Sequence, residues 1–195
     1  GAAALRRRAG ARPRAIAWLG AGVPLLWSAA AHWGVYRDGA RLAAGALPRE
    51  RWLARFQPPG HDFSFLADDQ VARYVRAHTA AGDPILVWGF EPPVYLLSGR
   101  RAPTRFFFDV PVAVRFTPER WRAEFLTALR ERPPVLFLVV RNDRYPWATG
   151  RTDDSEAQLR QWPELREWLG AHYWEEMRIE DFTIYRRRAE PGRRG

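Results

Sequence analysis

The chain has 195 residues, 47% of them hydrophobic, a formal charge of +9 and no cysteine. That length allows one ordinary domain plus an appendage, and the missing cysteine excludes disulfides, thiolate nucleophiles and zinc–thiolate sites together. The positive charge sits at the two ends: residues 1–14 hold five arginines and no acid, residues 186–195 hold five arginines and Glu190, and arginines and acids balance in between. A neutral body is a poor footprint for a duplex, so no nucleic-acid partner is expected.

Residues 1–14 read as a basic segment. Residues 15–36, from Ala15 to Tyr36, carry no charge and as a helix would be about 33 Å long, enough to cross a hydrocarbon core of about 30 Å. Gly20, Gly22, Pro24, Ser28 and His32 dilute the segment, but small residues and proline are tolerated where membrane helices pack on neighbours. Trp18 near one end, with Trp33 and Tyr36 at the other, suits interfacial belts. The arginine cluster predicts a cytoplasmic N-terminal side, with all that follows extracytoplasmic. A buried soluble helix is one rival. A cleaved secretory signal with an A-x-A site at Ala29–Ala31 is another. The first residue, Gly1 rather than Met, suits an internal piece of a longer chain, which favours the membrane span over a signal. Residues 37–62 form a connector punctuated by QPPG at 57–60, with Trp52, Leu53 and Phe56 placed either to lie along a membrane surface or to anchor a solvated linker.

From residue 63 to 188 the pattern becomes regular. Val71, Tyr74, Val75 and His78 recur at helical spacing. Residues 85–90 (ILVWGF) form an uninterrupted apolar run, expected of a strand covered on both faces. Pro92-Pro93 opens a short helix closed by Gly99, and RFFFDV (105–110) reads as a second strand. Thr117-Pro118-Glu119 begins a helix with Thr117 as its cap and Trp121, Phe125 and Leu129 on one stripe. PVLFLVV (134–140) is the strongest strand in the chain. The polar, aromatic segment RNDRYPWATGRTDD is a loop, Leu165, Trp168 and Leu169 mark a further helix, and Met177–Ile179 with Phe182–Tyr185 form a closing hairpin. Residues 189–195 form a disordered tail. The expected fold is therefore α/β: an N-terminal transmembrane helix, then a small, mainly parallel α/β sandwich with an antiparallel hairpin at its edge.

No HExxH, GxSxG, GxxxxGK[ST] or GxGxxG occurs, so no catalytic residue, resident metal or nucleotide cofactor is assigned to these residues. In an open parallel sheet, ligands collect beyond the carboxyl ends of the strands. There stand Glu91, Arg141 and Asp143, which would either line one crevice and do acid–base work or simply mark where buried strands reach solvent. Arg100 and Arg105 flank a proline turn and would grip a phosphate or carboxylate through bidentate bonds, or else satisfy carbonyls at a helix end. Trp147, beside Tyr145 and Pro146, offers a stacking face for a sugar, or a loop tip folded onto its own domain.

Four stretches in order carry a resemblance: V-A-R-Y-V-R-A-H-T-A-A-G-D-P-I-L-V-W-G (71–89), P-x-Y-L-L-S-G-R-x-A-P-T-R-F (93–106), P-P-V-L-F-L-V-V (133–140) and F-T-I-Y-R-R (182–187). Together with the arginine-flanked apolar helix, they resemble the C-terminal part of bacterial polytopic membrane glycosyltransferases. The type is that of the protein-mannosyltransferases and aminoarabinose transferases, which use polyprenyl-phosphate sugars. The resemblance implies a location in the bacterial cytoplasmic membrane, with a last membrane helix and an extracytoplasmic α/β domain. Its implied partners are membrane lipid, upstream transmembrane helices of the parent chain, a polyprenyl-phosphate-linked sugar and a protein, lipid or glycan acceptor. It also implies that catalysis, and any divalent metal, belong to an upstream loop absent from these 195 residues. The competing expectation is a secreted or membrane-anchored α/β binding module with no enzymatic parent.

Overall fold

The computed structural model describes the backbone of residues 2–56 and 64–189, with side chains from Val23 onward. The chain divides into two compact units, residues 1–55 and 56–195.

In the first unit, α1 (Ala2–Ala43) is one uninterrupted helix, so no break separates the basic segment from the apolar one. A turn through Gly45, at φ +70°, leads into α2 (Arg49–Ala54). Arg55 fastens the hairpin by donating to the Gly34 carbonyl at 3.0 Å and pairing with Asp38. Gly34 is a close approach: a Cβ there would lie 2.6 Å from the Arg55 guanidinium. On α1, Val23, Leu25, Leu26, Trp27, Trp33 and Tyr36 are all exposed, between 62% and 77%. Among the described residues, however, no helix is long and apolar enough to cross a membrane. The side chains of 15–22, the first part of the expected span, lie outside the described residues, as do residues 57–63 of the connector and 190–195 of the tail.

The second unit is a three-layer α/β structure. Its helices are α3 (Phe65–His78), α4 (Pro93–Ser98), α5 (Val110–Ala113), α6 (Glu119–Glu131), α7 (Pro146–Thr149), α8 (Ser155–Arg160) and α9 (Pro163–His172). Its strands, β1 (Ile85–Trp88), β2 (Leu136–Val140), β3 (Tyr173–Ile179) and β4 (Phe182–Arg187), form one sheet in the order β1-β2-β4-β3. Strands β1 and β2 are buried at every position, and their side chains alternate between two cores. Leu86, Trp88, Phe137 and Val139 pack with Phe125, Leu129, Leu165 and Trp168 of α6 and α9. Ile85, Val87, Leu136 and Leu138 pack on the other face with Val71, Val75 and Val94 of α3 and α4.

Three expectations need correction. The sheet is mixed rather than mainly parallel: β1 and β2 run parallel, but β4 lies antiparallel to both β2 and β3. The closing hairpin does supply the expected antiparallel edge, with β4 paired to β2 and β3 at the rim. RFFFDV is not a strand. The outward N–H of Val87, which a further strand would need, donates to the Tyr95 hydroxyl at 2.8 Å, and apart from a single bridge between Pro84 and Arg101 the outer edge of β1 pairs with no strand among the described residues. Thr117 does not cap α6; its hydroxyl donates to the Pro111 carbonyl at 3.0 Å and Pro118 stands at the cap.

Candidate functional site

The parallel strands end on two sharp features. After β1, Gly89 adopts φ +150°, and a Cβ there would lie 2.3 Å from Val140 Cγ2 and 3.0 Å from Asp143 Oδ2. After β2, Asn142 adopts φ +64°. It is held in this left-handed conformation, which asparagine tolerates better than most, by donating from its backbone N–H to Asp154 and from its amide to Asp181. These turns carry Glu91 and Asp143 inward instead of into solvent.

Asp143 is 2% exposed. It accepts from the Ser155 N–H at 2.9 Å, the Ser155 hydroxyl at 2.6 Å and the Phe90 N–H at 3.4 Å. The same hydroxyl lies 2.8 Å from Asp109 Oδ2, on a second buried carboxyl. A hydroxyl owns one hydrogen. Contacts to two carboxyl groups therefore need a second hydrogen, supplied by a protonated carboxyl. Burial fits this, raising Asp143 to about 7 and Asp109 to about 6, against the partial compensation of the Ser155 bonds.

Beside this triplet lies a second pair. Glu91, 2% exposed, faces Asp68 from the first turn of α3, which is fully buried. Burial raises both carboxyl groups, and the charge of Asp68 raises Glu91 further. No N–H or O–H reaches either oxygen of Asp68 or Oε2 of Glu91 among the described residues. A shared proton is the arrangement that relieves two such groups in contact.

The six residues singled out in the sequence separate into three places. Glu91, Asp143, Arg141 and Trp147 gather at the carboxyl ends of β1 and β2. Arg141 donates from its N–H to the Asp181 carbonyl and from its guanidinium to the Glu180 carbonyl, at 2.8 and 2.6 Å, tying down the hairpin turn. Trp147 is 81% exposed and continues a chain of edge-on rings through Tyr145, Phe90 and Phe108. Arg100 lies at the opposite end of β1, donating to the Thr79 carbonyl at 2.8 Å, the Thr79 hydroxyl at 2.9 Å and the Ser98 carbonyl at 3.1 Å. It thereby closes the C-termini of both α3 and α4. Arg105 makes a two-pronged pair with Glu124 on the flank, at 2.6 and 2.8 Å, over the Phe106 ring.

Asp68, Asp109 and Ser155 escaped the reading of the sequence. A signal existed for two of them: Asp68 continues the buried Val71–Val75 stripe of α3, and Asp109 is the lone charge between RFFF and VPVAV. Nothing in the sequence links Ser155 to them.

Chemically, the cluster holds protons but is closed to a substrate. A general acid or base must come within hydrogen-bond reach of the reacting group, and Glu91, Asp109, Asp143 and Ser155 are each 2% exposed. A cleft of about 460 Å³ lies past the other end of the sheet between Trp168, His172 and Arg187. A small cavity of about 120 Å³ lies under Arg122, Arg151 and Trp162, where Gln158 Oε1 is buried without a donor. Among the described residues, no group of three or more His, Asp or Glu is placed to hold a metal ion.

Compared with protein-family models, curated proteins and solved structures, the chain matches none of them.

Proposed function

We propose that the chain is the C-terminal part of a bacterial membrane glycosyltransferase that uses a polyprenyl-phosphate sugar, with its α/β unit on the extracytoplasmic side and its catalytic groups upstream. The observation that carries the membrane location is the exposure of Val23, Leu25, Leu26, Trp27, Trp33 and Tyr36 on one helix. Exposed apolar side chains gathered on one stretch suit an apolar surrounding, and the first charges after it, Arg37 and Asp38, follow directly on the interfacial aromatics. The assignment to sugar transfer rests on the four resembling stretches. The closed carboxyl cluster supports the view that the α/β unit assists the reaction without performing it.

The first test is topological. A reporter fused after Arg188 should be active only outside the cytoplasm, and carbonate washing should leave the chain in the membrane; extraction by carbonate or a cytoplasmic reporter overturns the location. The second is enzymatic. Membranes containing the parent protein should move label from a polyprenyl-phosphate sugar to an acceptor, and Glu91→Gln should keep the turnover within about threefold, since each tenfold loss would mean about 1.4 kcal/mol of transition-state stabilisation. A hundredfold loss of turnover in a folded Glu91→Gln protein would place catalysis here instead.

A further inference from the structure

We infer that the loops at the carboxyl end of the parallel strands form a surface that rests on a phospholipid bilayer. This rests on the membrane location proposed above and goes beyond it by assigning the face of the α/β unit that meets lipid.

At this end the usual placement of charge and apolar side chains is inverted. Glu91, Asp109 and Asp143 are turned inward and buried, while Phe116, between α5 and α6, and Trp147, on α7, stand 79% and 81% exposed. Phe107, 44% exposed, and Phe65 at the start of α3, 36% exposed, extend the apolar border. The remaining large exposed hydrophobics of the unit are scattered singly, Leu96 on α4 and Trp174 on the rim strand. Arg115 precedes Phe116 and Arg144 lies three positions before Trp147; both are exposed, with no acid paired to them among the described residues. Of the acids at this end, Glu119 and Glu180 are exposed, and Asp153, Asp154 and Asp181 are half-buried; Glu180 accepts from the Ser64 hydroxyl at 3.0 Å, Asp153 pairs with Arg151, and Asp154 and Asp181 accept from Asn142. Amphipathic rings interleaved with outward guanidinium groups are the composition of a bilayer interface, where rings seat at headgroup depth and arginines meet phosphates. The polypeptide also enters the unit at this end, where Ser64 caps α3 by accepting from the Ala67 N–H at 3.1 Å.

The lack of cysteine makes the test clean. Phe116→Cys, Trp147→Cys, Leu26→Cys on α1 and Glu131→Cys at the far end of α6 would each carry one environment-sensitive dye on the full chain. The chain would be reconstituted in phosphatidylethanolamine–phosphatidylglycerol vesicles with and without spin-labelled lipid, and near-ultraviolet dichroism would select the folded preparations. Labels at 116 and 147 should lose at least half their emission to the lipid quencher, and the label at 131 should lose none. Charge reversal by Arg115→Glu with Arg144→Glu should weaken the quenching at 116 at least twofold. If 26 is quenched while 116 and 147 are not, the docking surface is wrong and the membrane location stands. If 26 is also unquenched, the membrane location itself fails. Blue-shifted but unquenched labels at 116 and 147 would show the surface covered by protein, which also overturns the inference.

Discussion

Ser155 offers one hydrogen to two buried aspartates, and that shortage shapes the pH behaviour of the unit. Asp143, raised to about 7, and Asp109, raised to about 6, both stand above their unfolded values near 3.8. A raised group contributes stability that is complete below the unfolded value and is lost as pH climbs through the folded one. Asp68 and Glu91, raised to about 7 and about 10 by the same burial, act in the same direction, so unfolding free energy should fall from about pH 4 through pH 7 and go on falling above it, by several kcal/mol in all. Urea titrations across that range would read it, and a flat or rising profile would refute it. Asp109→Asn supplies a permanent donor to Ser155 and leaves Asp143 free to stay ionised. It should reduce the slope while preserving stability near neutral pH, whereas Asp109→Ala, which leaves the Ser155 hydroxyl its bond to Asp143, should lose about 2 kcal/mol through the cavity it opens. Arg100 gives a second residue-scale expectation. Its three bonds to the Thr79 and Ser98 groups make Arg100→Ala a folding lesion of roughly 2 kcal/mol, while Arg105→Ala, which removes an exposed pair, should leave the melting temperature unchanged. Both arginines look alike in the sequence, each beside a turn. What separates them is which carbonyls lie within reach, and that depends on α3 returning alongside α4.

The strands β1 and β2, the helices α3, α6 and α9 and the closing hairpin were legible because each buries a continuous apolar run or stripe. The segment 105–110 was misread because apolar content marks burial and not pairing. Its three phenylalanines are used, Phe106 against Trp121 and Phe125, Phe107 against Tyr95, Phe108 against Phe90, but the hydroxyl of Tyr95 has taken the edge donor of β1. The inward turn of Glu91 and Asp143 was equally hidden. Charges after a buried strand ordinarily meet water, and the φ of +150° at Gly89, pressed against Val140, with the φ of +64° at Asn142, redirects them. Gly89→Ala should consequently cost about 3 kcal/mol in a urea titration, combining backbone strain with a collision that no flexible side-chain end can relieve. Pairing it with Val140→Gly removes both Val140 atoms that the new Cβ would meet, so the double variant should be less unstable than the two single losses added together. Strict additivity would show that the contact across the strand ends is not the cause.

The order β1-β2-β4-β3 puts the last segment of the chain beside the best-buried strand. Ile184 faces Leu138 and Phe182 faces Val140, and both are core residues, 0% and 2% exposed. The apolar layer that β2 shares with α3 and α4 therefore cannot close until residues 182–187 are present. β3 depends on the same segment, because it reaches the sheet through β4 alone. Long-range pairing of this kind demands loop closure before it returns any stabilisation, so the unit should behave as all-or-none with respect to its final strand. Ending the chain after Asp181 ought to abolish the near-ultraviolet dichroism of the buried tryptophans and open the amides of β2 to exchange, although β2 itself is intact in sequence. A truncated chain that kept slow exchange at Leu136–Val140 would mean that β1, β2 and their helices form a self-sufficient core, with the hairpin added to it as an edge.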